Sequence, residues 1–280
     1  MILYKYATTE TALLMLQHGT ITFSNGNTFN DPTELSSAHY TGELQYPHGG
    51  IGRWPFLNSF GICCLTRAPL NPIMWAHYGE KHRGVVIGID ANEAGLNATD
   101  TCVIPAKYGS LIYTGSKPQH PYIGSEAPEV MRGEIQQFDP LHLEALQRAF
   151  LHKSSEWAYE EEVRVVRSGR YLEESGAKLE RDSNGDFTGR YFASIRKESI
   201  KSVHLGTRWL ALNSEEDKRR LEQIREHVPH ANIEIAYFDD STWKMNSAVL
   251  WSQNGQGVFN TDMREKTINQ LNQSDLKLHS

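Results

Sequence analysis

Trp157-Ala158-Tyr159-Glu160-Glu161-Glu162-Val163-Arg164-Val165-Val166-Arg167 is the stretch on which the fold turns. Taken with a period of two, Val163 and Val165 point one way, and Glu160, Glu162 and Arg164 point the other. A strand over these residues hides β-branched side chains on one face and shows two carboxylates and a guanidinium on the other. That polar face meets either plain solvent or a polar cleft, and an acidic run on a solvated face is the plainer of the two. Glu160 and Glu162, two apart on one face, place their carboxylates about 5–7 Å from each other. Such a pair suits glycoside-type chemistry, where an anionic carboxylate steadies a positively charged sugar and bonds its 2-hydroxyl. It also suits metal-assisted hydrolysis, which needs further ligands.

Upstream of the strand, Asp139-Pro140 opens a helix with Leu143, Leu146 and Phe150 at helical spacing, expected to end near Glu156. Residues 100–128 hold one candidate strand, Cys102 to Tyr108, among Gly/Pro-rich turns. Gly84-Val85-Val86-Ile87-Gly88-Ile89-Asp90 and Phe60-Gly61-Ile62-Cys63-Cys64-Leu65-Thr66 are apolar throughout and predict buried strands. Between them Asn71-Pro72 caps a helix, Ile73 to Tyr78, that stops at Gly79. Residues 40–57, with four glycines and two prolines, predict a loop. At the start, Ile2 to Ala7 predicts a strand. Thr8 or Thr9 then caps a helix carrying Ala12, Leu13, Met15 and Leu16, with Gly19 as its left-handed stop. Ile21 to Ser24 is a further strand. Asn25-Gly26-Asn27-Thr28-Phe29-Asn30-Asp31-Pro32 is turn chemistry around an aromatic that a plain loop does not need.

Downstream, 173–190 predicts an exposed hairpin. Ile200–Leu205, a helix from Ser214 with Glu215, Glu216 and Asp217 in its first turn, and Ile233–Tyr237 make a β-α-β unit. Residues 241–280 are rich in Asn, Gln and Ser and predict a polar tail or partner-docking extension.

The composition sets limits. At 280 residues with a formal net charge of −6, no global basic field announces nucleic-acid binding. Cys63, Cys64 and Cys102 are too few and wrongly spaced for a disulfide framework or a zinc knuckle, so a cytoplasmic chain with buried thiols is expected. No apolar run is long enough for a signal peptide or a membrane span. His77 and His82 are five apart, not the four that sets two ligands on one helix face, so no metal site is expected. The cysteines of the 60–66 strand lie where a thiol is inert, and Gly84 to Gly88 lacks a phosphate-binding pattern.

Leu3-Tyr4-Lys5-Tyr6, Phe29-Asn30-Asp31-Pro32, Met74-Trp75-Ala76-His77-Tyr78-Gly79 with His82-Arg83-Gly84-Val85, and Trp157-x-x-Glu160-x-Glu162-x-Arg164 occur in that order. Together they resemble a widespread prokaryotic domain-of-unknown-function family. Its layout is similar to that of ADP-ribosyltransferases, particularly the DarT-like and other toxin-related branches. The resemblance implies an α+β fold: an ADP-ribosyltransferase-like split β-sheet core with helices, plus the C-terminal β-α-β unit and tail. It implies one catalytic domain over 1–240, with a core of 1–170 and a C-terminal part of 200–240, followed by the extension 241–280.

It also implies NAD as cofactor. Glu162 falls at the catalytic carboxylate, with Glu160 two before it. Lys5, with Tyr6 beside it, falls where that superfamily has a His or Arg that contacts NAD. Thr66 falls near a hydroxyl supporting the nicotinamide side, although Arg67 follows it where the superfamily has another hydroxyl residue. Tyr78 or Trp75 falls at the aromatic that holds nicotinamide, and Phe29, Asn30 and Asp31 line the same pocket. On residue type alone, Trp75 and Tyr78 serve equally as core aromatics, Asn30-Asp31-Pro32 as a turn and Lys5 as an edge-strand charge.

The function implied is an NAD-dependent mono-ADP-ribosyltransferase, a toxin or phage-defence effector with an antitoxin or chaperone as partner. Arg164, Arg167, Arg170, Arg181, Arg190, Arg196 and Lys197 favour a nucleic-acid acceptor over a protein one. The alternatives are a non-catalytic interaction protein on the same fold, docking through 241–280, and a metal-dependent nuclease using Glu160, Glu162 and Asp31.

Overall fold

The computed structural model describes residues 1–31, 35, 53–117, 127–211 and 215–252. It is an α+β structure. In chain order the elements are β1 (Ile2–Ala7), α1 (Thr9–His18), β2 (Thr20–Ser24), α2 (Arg53–Ser59), β3 (Phe60–Thr66), α3 (Pro72–His77), β4 (Val85–Asp90) and β5 (Ile112–Thr114). There follow α4 (Pro128–Met131), α5 (Leu143–Phe150), β6 (His152–Ser154), β7 (Glu162–Ser168), α6 (Gly169–Glu174), β8 (Lys178–Arg181) and β9 (Phe187–Ser194). The chain closes with β10 (Ile200–Leu205), α7 (Glu215–His227), β11 (Asn232–Phe238) and β12 (Met245–Trp251). These elements divide between two compact units, each drawn from separated stretches. The first takes Met1, 19–67 and 91–196; the second takes 2–18, 68–90 and 197 onward.

In the first unit the strands run β7-β3-β2-β9-β8, all antiparallel. β3 and β7 pair along their whole length, from Phe60 opposite Ser168 to Thr66 opposite Glu162. A separate parallel pair, β5 and β6, sets Tyr113 opposite Lys153. The apolar core gathers Phe56, Phe60, Ile62, Ile104, Leu146, Phe150 and Val166. Within it the rings of Phe56, Phe60 and Phe150 lie 5.1–5.7 Å apart, at the spacing aromatic pairs prefer.

The second unit orders its strands β12-β11-β10-β4-β1. Only β10 and β11 are parallel, and α7 makes the crossover a parallel pair needs. Thr8 caps α1: its carbonyl accepts from Ala12 N at 2.9 Å and its hydroxyl from Thr11 N at 3.2 Å. Gly19 ends that helix at φ 59°. Asn71 caps α3 with its side chain accepting from Ile73 N and Met74 N.

The His-Arg-Gly motif has a backbone explanation. Glu80, Lys81 and His82 lie in succession at φ 50°, 53° and 66°, and each left-handed non-glycine residue costs about 1–2 kcal/mol. Fixed partners hold the turn. Glu80 Oε2 accepts from Thr9 N at 3.0 Å, and the Arg83 carbonyl accepts from Thr9 Oγ1 at 3.0 Å and Trp209 Nε1 at 2.6 Å. A Cβ on Gly84 would stand 2.4 Å from the Ala7 carbonyl oxygen, so glycine is required where the turn meets β1.

Several expectations are corrected. Cys102 to Tyr108 is not a strand; it makes one bridge, Ile104 to Val166, and a 3-10 turn over Ala106–Tyr108. The helix opened by Asp139-Pro140 stops at Phe150, and His152–Ser154 turns into β6. Arg53–Ser59 is helical where a loop was expected. The expected extension is in part ordered against the body, where β12 pairs antiparallel with β11. Pro32, 40–52, Ser214 and 253–280 lie outside the described residues.

Candidate functional site

The opening stretch folds differently from one continuous strand. Ser155–Glu160 is a 3-10 turn, capped by Ser154 Oγ accepting from Glu156 N at 3.4 Å, and β7 begins only at Glu162. Ser154 followed two residues later by an acidic residue is a helix-start signal, and the β-branched residues start at Val163. Glu161 joins the two pieces in the left-handed region at φ 44°. Strand alternation therefore does not bring Glu160 and Glu162 together; the turn does. Nor is the face wet: Glu160, Glu162 and Arg164 are 3%, 5% and 0% exposed.

Burial of four charges in one place works here because they neutralise each other. Lys153 Nζ lies 2.6 Å from Glu160 Oε2 and 2.9 Å from Glu162 Oε2. Arg164 Nε donates to Glu162 Oε1 at 2.9 Å, and its Nη1 donates to the Phe150 carbonyl at 2.6 Å. Two cations face two anions, the condition under which buried charge is tolerated. The Tyr113 hydroxyl accepts from Glu162 N at 2.9 Å. Burial pushes that phenol up to about 12, so it keeps its proton. The rings of Trp157 and Phe29 lie 5.2 Å from the Lys153 ammonium and 5.4 Å from the Arg164 guanidinium.

Burial alone would raise the Glu162 carboxyl. The charges of Arg164 and Lys153, with hydrogen bonds from Arg164 and Cys64, outweigh it and hold the group at about 2. Glu162 is therefore an anion that cannot serve as a general acid. The folded value lies below the ordinary 4.5, so the associated stability is fully present above pH 4.5 and lost as pH falls toward 2. We expect a loss of about 3 kcal/mol over that window. Urea midpoints measured between pH 7 and pH 2 would check it, and the Glu162→Gln variant should lack this part of the drop.

Glu161 gives a second test. Glycine adopts φ 44° without steric cost, whereas a β-branched residue does not. Glu161→Gly should gain about 1 kcal/mol and Glu161→Val should lose about 2 kcal/mol in chemical denaturation. Equal midpoints for the two variants would mean that the residue is not left-handed.

The remaining expected site residues divide between the units. In the first, Thr66 is 2% exposed and its hydroxyl donates to the Glu160 carbonyl at 2.5 Å, so it positions the carboxylate turn instead of facing a ligand. Phe29 packs on Arg164, Asn30 is exposed and Asp31 is half-buried. In the second, Tyr6 is buried, its hydroxyl donating to the Ala68 carbonyl at 2.9 Å. Trp75 is 0% exposed; its indole donates to the Pro69 carbonyl, Tyr6 meets it edge-on and His82 stacks on it. Tyr6 and Trp75 are therefore core residues with no ring face turned to a ligand. Tyr78 closes α3 half-buried, and Lys5 is half-buried opposite Ile87.

Sequence reasoning missed Lys153, Tyr113 and Cys64. Lys153 fell inside the overlong helix, and nothing local in the sequence says that β5 would seat Tyr113 beside it. The arginines after the strand are mostly engaged within the unit. Arg167 donates to the Gly95 carbonyl, Arg170 pairs with Glu174, Arg181 donates to the Gly185 carbonyl, Arg190 pairs with Glu180, and Arg196 donates to the Glu93 carbonyl. Among the described residues no group of three His, Cys, Asp or Glu is placed to hold a metal ion. Of the three carboxylates the nuclease alternative would use, Glu160 and Glu162 are paired with Lys153.

Among the described residues no helix is long and apolar enough to cross a membrane. No curated protein and no solved structure matches the chain significantly. Residues 74–165, from α3 through β7, match the model of a family described as "Protein of unknown function (DUF2971)", in line with the motifs at Met74–Gly79 and Trp157–Arg164.

Proposed function

We propose that the chain is an NAD-dependent mono-ADP-ribosyltransferase acting on a macromolecular acceptor, as a toxin or phage-defence effector. One observation carries the reading: Glu160 and Glu162 are held side by side by a single ammonium, with Glu162 kept ionised by Arg164. A fixed, desolvated carboxylate against a ribose hydroxyl strengthens its hold as positive charge grows on the sugar, and needs no reorganisation at that moment. NAD supplies the ADP-ribose, with nicotinamide as leaving group.

Within the first unit, the carboxylate pair and the Phe29 ring on Arg164 are the groups that would meet NAD. Tyr6, Trp75 and Thr66 do not fit as direct contacts, because their polar atoms are committed to backbone carbonyls. Glu162 would hold the ribose hydroxyl, Lys153 and Tyr113 would fix its orientation, and Glu160 would position or deprotonate the attacking group.

The near-complete mutual neutralisation of the four charges favours a second reading, an interaction protein in which the cluster serves the fold alone. Purified chain incubated with NAD labelled in its ADP-ribose moiety, together with DNA, RNA or total protein, separates the two. Nicotinamide release with transfer of label to one acceptor class is expected. No release with any acceptor, and no heat of NAD binding by calorimetry, would leave the interaction reading. Because the arginines are engaged elsewhere, the acceptor class rests on this experiment.

A further inference from the structure

In the second unit, residues that the ADP-ribosylation reading leaves unused come together on one face of the sheet. β10 carries Ser202 and His204 two apart, so both side chains project from the same side. Ser202 Oγ lies 3.1 Å from His204 Nε2. Glu234, opposite His204 in the neighbouring β11, sets its Oε2 3.4 Å from the other ring nitrogen, Nδ1. That carboxylate is in turn fixed by Ser247 Oγ of β12, which donates to the same Oε2 at 2.5 Å. The strand register builds this row: Glu234 stands opposite His204, and Ser247 stands opposite Ala236, two residues along from Glu234.

Four further observations point to chemistry instead of packing. His204 is 5% exposed, yet its Nδ1 has no aligned hydrogen-bond partner, the Glu234 oxygen standing 3.4 Å away out of line. Resting catalytic pairs often have this looseness. Burial holds the imidazole below its usual value, with the Glu234 charge opposing, so the ring is neutral at pH 7 and Nε2 can accept a proton. Gly88, opposite both Ser202 and Tyr4, leaves the space the hydroxyl occupies: a Cβ there would stand 2.3 Å from Ser202 Oγ. The Tyr4 ring meets His204 edge-on at 5.7 Å, and its phenol is pushed up by burial and by Glu234, so it keeps its proton and is a donor on this face.

We propose that Ser202, His204 and Glu234 form a serine-nucleophile centre acting on carboxylic esters. The roles follow nucleophile, base and orienting carboxylate, with the Tyr4 hydroxyl as donor to the carbonyl oxygen. Ser202 Oγ adds to the ester carbonyl carbon while its proton passes to His204 Nε2. The ester C–O bond then breaks, and the leaving alcohol takes that proton. A water molecule attacks the acyl-Ser202 carbon, gives a proton to Nε2 and releases the carboxylic acid, and the proton returns to Ser202.

The test uses the whole purified chain and a fluorophosphonate probe. Ser202 Oγ attacks the phosphorus, fluoride leaves and the proton goes to His204. Peptide mass mapping should place one adduct on Ser202, and the chain should hydrolyse p-nitrophenyl acetate. His204→Gln, checked as folded by its circular dichroism and melting curve, should label about 100-fold or more slowly. No adduct at Ser202 of the wild-type chain overturns the proposal. So does labelling of folded His204→Gln at the wild-type rate. If that variant does not fold, Glu234→Gln serves in its place, with at least a tenfold slower labelling expected and an unchanged rate overturning the assignment.

Discussion

Replacing Arg164 with methionine will cost the fold about 3–5 kcal/mol, the range for breaking a buried charge cluster from one side. Arg164 is 0% exposed and gives Glu162 its second cation. Without it, Glu160 and Glu162 share the single charge of Lys153, and the Phe150 carbonyl loses a donor at 2.6 Å. The cost is a stranded buried anion, not the lost contact as such. Glu162→Gln combined with Arg164→Met should therefore recover more than half of the loss, since the Lys153–Glu160 pair then stands neutral. Urea midpoints for the wild type, both single variants and the double variant give the comparison. A loss below 1 kcal/mol for Arg164→Met would mean that the guanidinium is not enclosed between Glu162 and Phe150.

Glu162→Gln should lower nicotinamide release by about 100-fold or more at saturating NAD, because the amide carries no charge to oppose the positive sugar. The same substitution also unbalances the cluster, so rate and melting curve must come from the same samples at a temperature where the variant is folded. A fall in rate well beyond the unfolded fraction assigns Glu162 to the chemistry. A fall that matches the unfolded fraction assigns it to the fold alone, whatever the wild type releases.

The period-two reading of Glu160, Glu162 and Arg164 assumed one strand, and it brought the two carboxylates together for the wrong reason. Ser154 and Glu156 start a helical turn, and Glu161 reverses hand before β7 begins. The wet face was a second misreading from the same source. Charged residues in alternation usually mean solvent, but the sequence has no means of showing that Lys153 would neutralise them in place of water.

Much of the rest was present in local chemistry. Thr8 and Gly19 bound the first helix, Asn71-Pro72 opens α3, the continuous apolar runs are β3 and β4, and Ile200 to Tyr237 is a parallel crossover. Each depends on residues within one turn or one strand, where backbone preferences and burial periodicity act. Partners from distant segments were decided only by the tertiary structure: Lys153 against Glu160 and Glu162, Tyr113 on the Glu162 amide, Trp75 sealed by Tyr6 and His82, and Ser202, His204 and Glu234 in one row. The physical reason is one of range. Caps and periodicity act between near neighbours in the chain, while a charge is neutralised by whichever opposite charge packing brings within about 3 Å.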